Sequence, residues 1–180
     1  MEIYAIDLHT RSPEHKKRFG EIWTFDEFMK NIKKAKIDDI VIPILSASED
    51  AAKNFDKPVE LVFIDGDHSY KGVKRDFELW FPKVVEGGIM AFHDTIGWCG
   101  PKKVVKEFLF KSRHFKNVRF VGSITGVKVK ENTFLDRIEN LCVLFIKYSY
   151  ESVRKTYIAK YLKHLITFLL SNTSSVALNL

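Results

Sequence analysis

The chain has few of the features that mark an exported or membrane-spanning protein. Its only two cysteines, Cys99 and Cys142, fit neither a disulfide framework nor a zinc site. No signal peptide is read at the N-terminus, where a strand-like run begins almost at once. Together these absences set the expectation of a cytoplasmic protein with reduced thiols. The longest apolar runs, Leu141 to Ile146 and Leu165 to Leu170, fall far short of the ~20 residues that a spanning helix needs, so no transmembrane segment is expected. Nor are aromatic and basic residues interleaved as nucleic-acid binding requires. The formal charge of +6 is spread through Lys16-Lys17-Arg18, Lys33-Lys34, Lys74-Arg75 and Lys102-Lys103, each lying near acidic residues. It reads as solvated helix faces, and no nucleic-acid partner is expected. Internal repeats and low-complexity linkers are missing too.

What remains is ordinary globular material. At 180 residues, 46% of them hydrophobic, the chain can bury one genuine core. It is organised around Leu61-Val62-Phe63-Ile64-Asp65-Gly66-Asp67-His68, echoed by Gly87-Gly88-Ile89-Met90-Ala91-Phe92-His93-Asp94. Each is an apolar run of strand length that stops in acidic and imidazole side chains. Buried parallel strands deliver polar groups to the carboxyl edge of an open α/β sheet in this way, and that edge is where such folds bind ligands. Between the runs, Val73, Phe77, Trp80 and Phe81 recur at helical spacing, giving a strand-helix-strand crossover that sets the two strand ends close together.

The flanking elements follow the same logic. Glu2 to Asp7 is a strand ending in a carboxylate placed to receive a sugar's hydroxyls, and Leu8 to Ile22 is a polar loop or broken helix. Thr24-Phe25-Asp26-Glu27 is a capping box for a helix to about Lys36, and Ser46-Ala47-Ser48-Glu49 offers another for a short helix through Phe55. Between them Ile40 to Leu45 is a strand that Pro43 puts near a sheet edge. Glu86-Gly87-Gly88 reads as a turn, and Pro101 as the first residue of a helix with Val104, Val105, Phe108 and Leu109 inward. Val118 to Gly122 and Ile124 to Val129 form a hairpin.

From Phe134 to Leu170 the pattern is helical, with Ile158, Leu162, Leu165 and Leu169 on one stripe. Such a stripe packs on its own domain, forms a homodimer interface or touches a membrane, in descending order of expectation. The expected organisation is an α/β domain over residues 1–131, a helical extension over 132–171 and a flexible tail over 172–180.

Asp65, Asp67, His68, His93 and Asp94 are the one dense polar constellation that follows apolar strands. Carboxylates gathered this closely need a cation, a shared proton or cationic ligand groups. Oxygen donors suit magnesium, while imidazole favours manganese, iron or zinc. Asp65 and Asp94 could instead merely cap the following helix and turn. That two successive strands end alike favours a functional site.

These residues carry a resemblance. Phe63-Ile64-Asp65-Gly66-Asp67-His68-Ser69-Tyr70, with Asp76, Trp80, Pro82, Gly87-Gly88 and His93-Asp94, resembles the class I S-adenosylmethionine-dependent methyltransferases, in the branch of the macrocin-type sugar O-methyltransferases. The resemblance runs from about Ile3 to Lys130. It implies a three-layer Rossmann-like sheet, S-adenosylmethionine as cofactor, magnesium or another divalent cation, and a small-molecule hydroxyl, such as a sugar's, as methyl acceptor. By the same resemblance Asp7 binds the cofactor's ribose, and Ser46, Ala47 and Ser48 border the adenine, with Ala47 where an acid is common. Asp65 lies at the cofactor edge and is a metal ligand with His93 and Asp94, while Asp67, or alternatively His68, is the general base.

One departure stands out. The family's first strand and its glycine-rich turn should precede Ile3, between the strands ending at Asp7 and Asp65 in space, and none of the nine glycines forms G-x-G upstream of Asp7. The flanking strands must therefore close up or leave a gap. Two other functions stay open: a non-catalytic binding or assembly module on the same fold, and a metal-dependent phosphoesterase using Gly66-Asp67-His68 and His93-Asp94.

Overall fold

Apolar runs become buried strands and the amphipathic stretches become the helices that cover them. The computed structural model describes residues 1–10, 20, 23–121, 124–129, 131–155 and 161. In chain order its elements are β1 (Ile3–Asp7), α1 (Phe25–Ala35), β2 (Val41–Leu45), α2 (Ser48–Asn54), β3 (Val59–Ile64) and α3 (Tyr70–Trp80). There follow β4 (Val84–Phe92), α4 (Cys99–Val104, widening to a π-helical turn over Val105–Phe110), β5 (Phe115–Val121), β6 (Ile124–Val129) and α5 (Phe134–Lys155). The α/β class expected from the sequence is the one observed, and Pro43 lies in a strand with a single partner, as its missing N–H requires.

The described strands form two sheets. β1 and β2 are parallel, in register from Ile3 opposite Val41 to Asp7 opposite Leu45. The larger sheet has the order β3-β4-β6-β5, with β3 and β4 parallel and the other pairs antiparallel. Among the described residues no strand joins β1 to β3. Both nevertheless rest on one apolar cluster, in which Ala51, Ala52, Phe55 and Trp80 are buried and Tyr4, Ile6, Ile44, Val59 and Val62 pack against them. The two sheets therefore share a helical layer without sharing a hydrogen-bond ladder. On the side of β3 away from those helices, Leu61 is 58% exposed and Phe63 50%.

The main core lies behind β4, where Met90, Phe92, Val104, Leu109, Phe115 and Val118 are fully buried. Phe77 of α3 anchors it, with its ring 5.3 Å from Phe81 and 5.1 Å from Phe108. α5 packs on β5 and on the end of α4 through Val143 and Leu144, which lie against the core, and through polar side chains. Asn140 accepts from the Val118 N–H at 3.3 Å and donates to the Phe115 carbonyl at 3.0 Å.

Several local expectations are corrected. Glu86-Gly87-Gly88 is a bulge inside β4, not a turn before it: register jumps from Val59 opposite Val84 to Leu61 opposite Ile89, and the φ of 82° at Gly87 lets the strand kink and resume. Pro101 is the third helical residue, because α4 begins at Cys99. Thr24 and Ala47 hold the N-cap positions of α1 and α2 without side-chain caps, since the Thr24 hydroxyl is drawn to His9 and Ser48 turns inward. The Ile158 to Leu169 stripe lies outside the described residues.

Candidate active site

β3 and β4 end side by side, and the ladder runs one residue further, with the His93 N–H donating to the Ile64 carbonyl at 3.0 Å. Asp65 and His93 are thereby neighbours, and His93 Nδ1 lies 3.0 Å from Asp65 Oδ1. Asp94 then takes a left-handed φ of 53°, which swings its carboxylate back across the strand ends. Its Oδ2 lies 3.5 Å from His93 Nδ1 and 3.1 Å from His68 Nε2.

The His68 ring is held from one side by Trp98, stacked at 4.4 Å and 12°. Its Nε2 is buried, and although close to Asp94 it is not aligned for a hydrogen bond. Asp65, His68 and Asp94 each offer one ligand atom within 4.8 Å of the others. A buried nitrogen facing two carboxylates without a hydrogen bond is a donor set that fits a divalent cation. His93, expected among the ligands, pairs with Asp65 beside this trio.

Asp67 is committed differently. Its Oδ1 accepts from the Ser69 N–H at 2.9 Å and its Oδ2 from the Ser69 hydroxyl at 2.6 Å. Ser69 Oγ in turn accepts from the Gly72 N–H at 3.0 Å, capping α3. Burial would raise the Asp67 pKa, but the Ser69 hydrogen bonds, with the nearby His68 and Arg75, outweigh it and keep the carboxyl below its ordinary range. The approach of α3 depends on Gly72, since a Cβ there would lie 2.4 Å from Asp67 Oδ2. Beneath this loop Asp76 is buried, and burial raises its pKa against the opposing Ser48 hydrogen bond and Arg75 charge.

A second group gathers at the end of the smaller sheet. Because Asp7 stands opposite Leu45, its carboxylate and the turn Ser46-Ala47-Ser48 come together. Asp7 Oδ1 accepts from the His9 N–H at 2.7 Å. His9 is buried against Phe25 and Phe28, with Nδ1 3.1 Å from Thr24 Oγ1. Ser46 donates to the Ala47 carbonyl at 3.1 Å, while Ser48 accepts from the Trp80 indole at 2.9 Å. Trp98 and His9 were not legible as site-forming residues. The signals were thin: an aromatic four residues past Asp94 and an imidazole two past Asp7.

Comparison with known proteins places this geometry in context. The family described as a methyltransferase domain matches residues 1–95. An uncharacterized protein of Sinorhizobium fredii is 48% identical over 94 residues, 52% of this chain and 10% of that protein. Another, of Acanthamoeba polyphaga mimivirus, is 33% identical over 66 residues, 37% of this chain and 27% of that protein. The matches thus span a tenth and about a quarter of these relatives. Among solved structures, the O-methyltransferase NovP superposes with a TM-score of 0.61 at 15% identity, over 72% of this chain and 60% of that one. The S-adenosylhomocysteine-bound Podospora anserina methyltransferase PaMTH1 gives 0.52 at 14%, over 72% and 61%. A putative rRNA methylase of Clostridium thermocellum gives 0.51 at 13%, over 73% and 74%. At these identities the likeness is one of fold.

Proposed function

This chain belongs to the methyltransferase-domain family, and from that premise we propose that it methylates a hydroxyl of a small molecule, a sugar foremost, using S-adenosylmethionine. The observation that carries the reading is the convergence of Asp65, His68, His93 and Asp94 at the ends of two parallel strands. We assign residues 1–131 to the catalytic unit, 132–171 to a helical extension and 172–180 to a tail, in a cytoplasmic protein. The exposed free thiols of Cys99 and Cys142 accord with that compartment.

The donor sets fit the groups proposed. Asp7 presents a carboxylate beside the Ser46-Ala47-Ser48 turn, suited to a ribose and the base attached to it. Asp65, His68 and Asp94 would hold the divalent cation, with His93 steadying Asp65. When bound, the cofactor supplies an electrophilic methyl on sulfonium, and the cation lowers the acceptor hydroxyl's pKa. Asp67 takes the proton from that hydroxyl. Its Ser69 hydrogen bonds keep it ionised and ready to accept. Trp98 keeps the His68 ring in plane, and positioning supplies much of the rate.

One observation favours a second reading, a non-catalytic binding or assembly module: among the described residues β1 and β3 do not pair with each other, so no ladder there fixes the two groups to each other. Calorimetric titration with S-adenosylhomocysteine, with and without magnesium, separates the two. Micromolar binding that Asp7→Ala abolishes supports the enzyme. No binding at millimolar ligand sinks it in favour of the module.

A further inference from the structure

α5 is polar at its most buried positions. Beside Val143 and Leu144, part-buried against the core, its inward positions carry Asn140, Lys147 and Glu151, only 1%, 1% and 5% exposed. They are satisfied within the protein: Lys147 donates to the Thr95 carbonyl at 2.7 Å and to Glu151 at 2.5 Å, and Glu151 also pairs with Lys102. Its outward positions carry Phe134, Leu135, Ile138, Leu141, Phe145 and Ile146, from 43% exposed at Ile138 to 73% at Phe145. Single exposed apolar residues need no explanation, but six along neighbouring rows of one helix mark a contact surface.

Charge decides what covers it. Residues 99–180 hold 15 Lys and Arg against 5 Asp and Glu, whereas residues 1–98 hold 14 against 18. α5 itself is mixed, with Asp136 and Glu139 beside Arg137 and Arg154, and the basic excess at its border comes from Lys102 and Lys106 of the neighbouring helix. Arg137 lies over the Phe134 ring at 5.7 Å, and Lys102 and Lys106 over the Tyr148 ring at 5.1 and 5.9 Å. After Glu151 the sequence has no acidic residue but continues through Arg154, Lys155, Lys160 and Lys163. A second copy would set basic flank against basic flank. An anionic lipid surface accepts the apolar face and neutralises its cationic border.

We propose that α5 lies in the plane of an anionic bilayer surface, with Phe145 and Ile146 among the acyl chains and the flanking Lys and Arg at the headgroups. Among the described residues no helix is long and apolar enough to cross a membrane, so the contact is interfacial. The proposal stands apart from the methyl-transfer reading, because no residue of that site takes part.

The test is flotation of the full chain with phosphatidylcholine vesicles containing phosphatidylglycerol, against phosphatidylcholine alone, at low and raised salt. Binding should require phosphatidylglycerol, weaken with salt and fall at least about tenfold in Phe145→Glu and Ile146→Glu. Both changes are at exposed positions, so the thermal melt should stay as in the parent and loss of fold can be told from loss of binding. Absence of flotation with anionic vesicles overturns the proposal, as does equal binding to both vesicle types. A dimer in sedimentation that Phe145→Glu converts to monomer, without vesicle binding, assigns the face to a second copy instead.

Discussion

Asp7 and Asp65 stand at the ends of two parallel strands resting on the same helices, yet the sheets behind them are held very differently. β1 has no buried residue and β2 only Val41, whereas β4 buries Val84, Met90 and Phe92, the last two completely. Asp65 follows β3, which itself buries only Ile64, and is positioned through the ladder to β4 and the close-packed core behind that strand. Asp7 is positioned by a local clasp, the His9 N–H and the aromatic pair around that imidazole. A strand end can look the same in sequence and still differ in how firmly it presents its acid.

The largest expected effect tests that contrast directly. Phe92→Ala should cost about 3–5 kcal/mol and Ile6→Ala, only part-buried, about 1–2 kcal/mol, in denaturant titration. Equal losses would mean that both sheets draw on one core and that the contrast fails. Next, Gly72→Ala should cost about 1–3 kcal/mol, because the new Cβ displaces Asp67 or shifts α3 against a core that yields little. Unchanged stability would mean that the loop gives way freely and that the contrast does not extend to it.

A smaller effect concerns pH. Asp76 is raised by burial, so between its unfolded and folded pKa the native state binds the extra proton and stability falls as pH rises. Asp67, lowered, acts oppositely: its contribution is present above the unfolded carboxylate pKa and is lost as pH falls through the folded one. Thermal melts across this range should show the fall with rising pH disappear in Asp76→Asn. A profile identical to the parent would show that Asp76 is not the group responsible. Least of all, Lys53→Ala should leave the denaturant midpoint unchanged, since its pairs with Glu49 and Asp50 are solvent-exposed. A lowered midpoint would show that α2 carries more of the smaller sheet than its burial implies.

β3 and β4 were legible as apolar runs with abrupt polar ends, although only β4 is buried as such a run suggests and β3 leaves Leu61 and Phe63 exposed. The polar cluster was legible for the same reason. Its inner arrangement was not. Proximity in sequence pairs His93 with Asp94, but the left-handed turn at Asp94 carries that carboxylate toward His68, and sequence spacing does not report φ. The polar inward side of α5 was hidden for a related reason: a periodic apolar stripe announces a helix but not which side faces home. Asn140 and Lys147 face inward because backbone groups at Phe115, Val118 and Thr95 are there to meet them.

The absent ladder between β1 and β3 bears on how the molecule melts. Sheets that meet, among the described residues, through the shared side-chain cluster rather than a ladder have a route to unfold in separate steps followed by different probes. An extended segment laid between those strands and paired with both would join the two sheets in one ladder. The steps would then merge into one transition, and the sharpness of the melt would report whether that seam is filled.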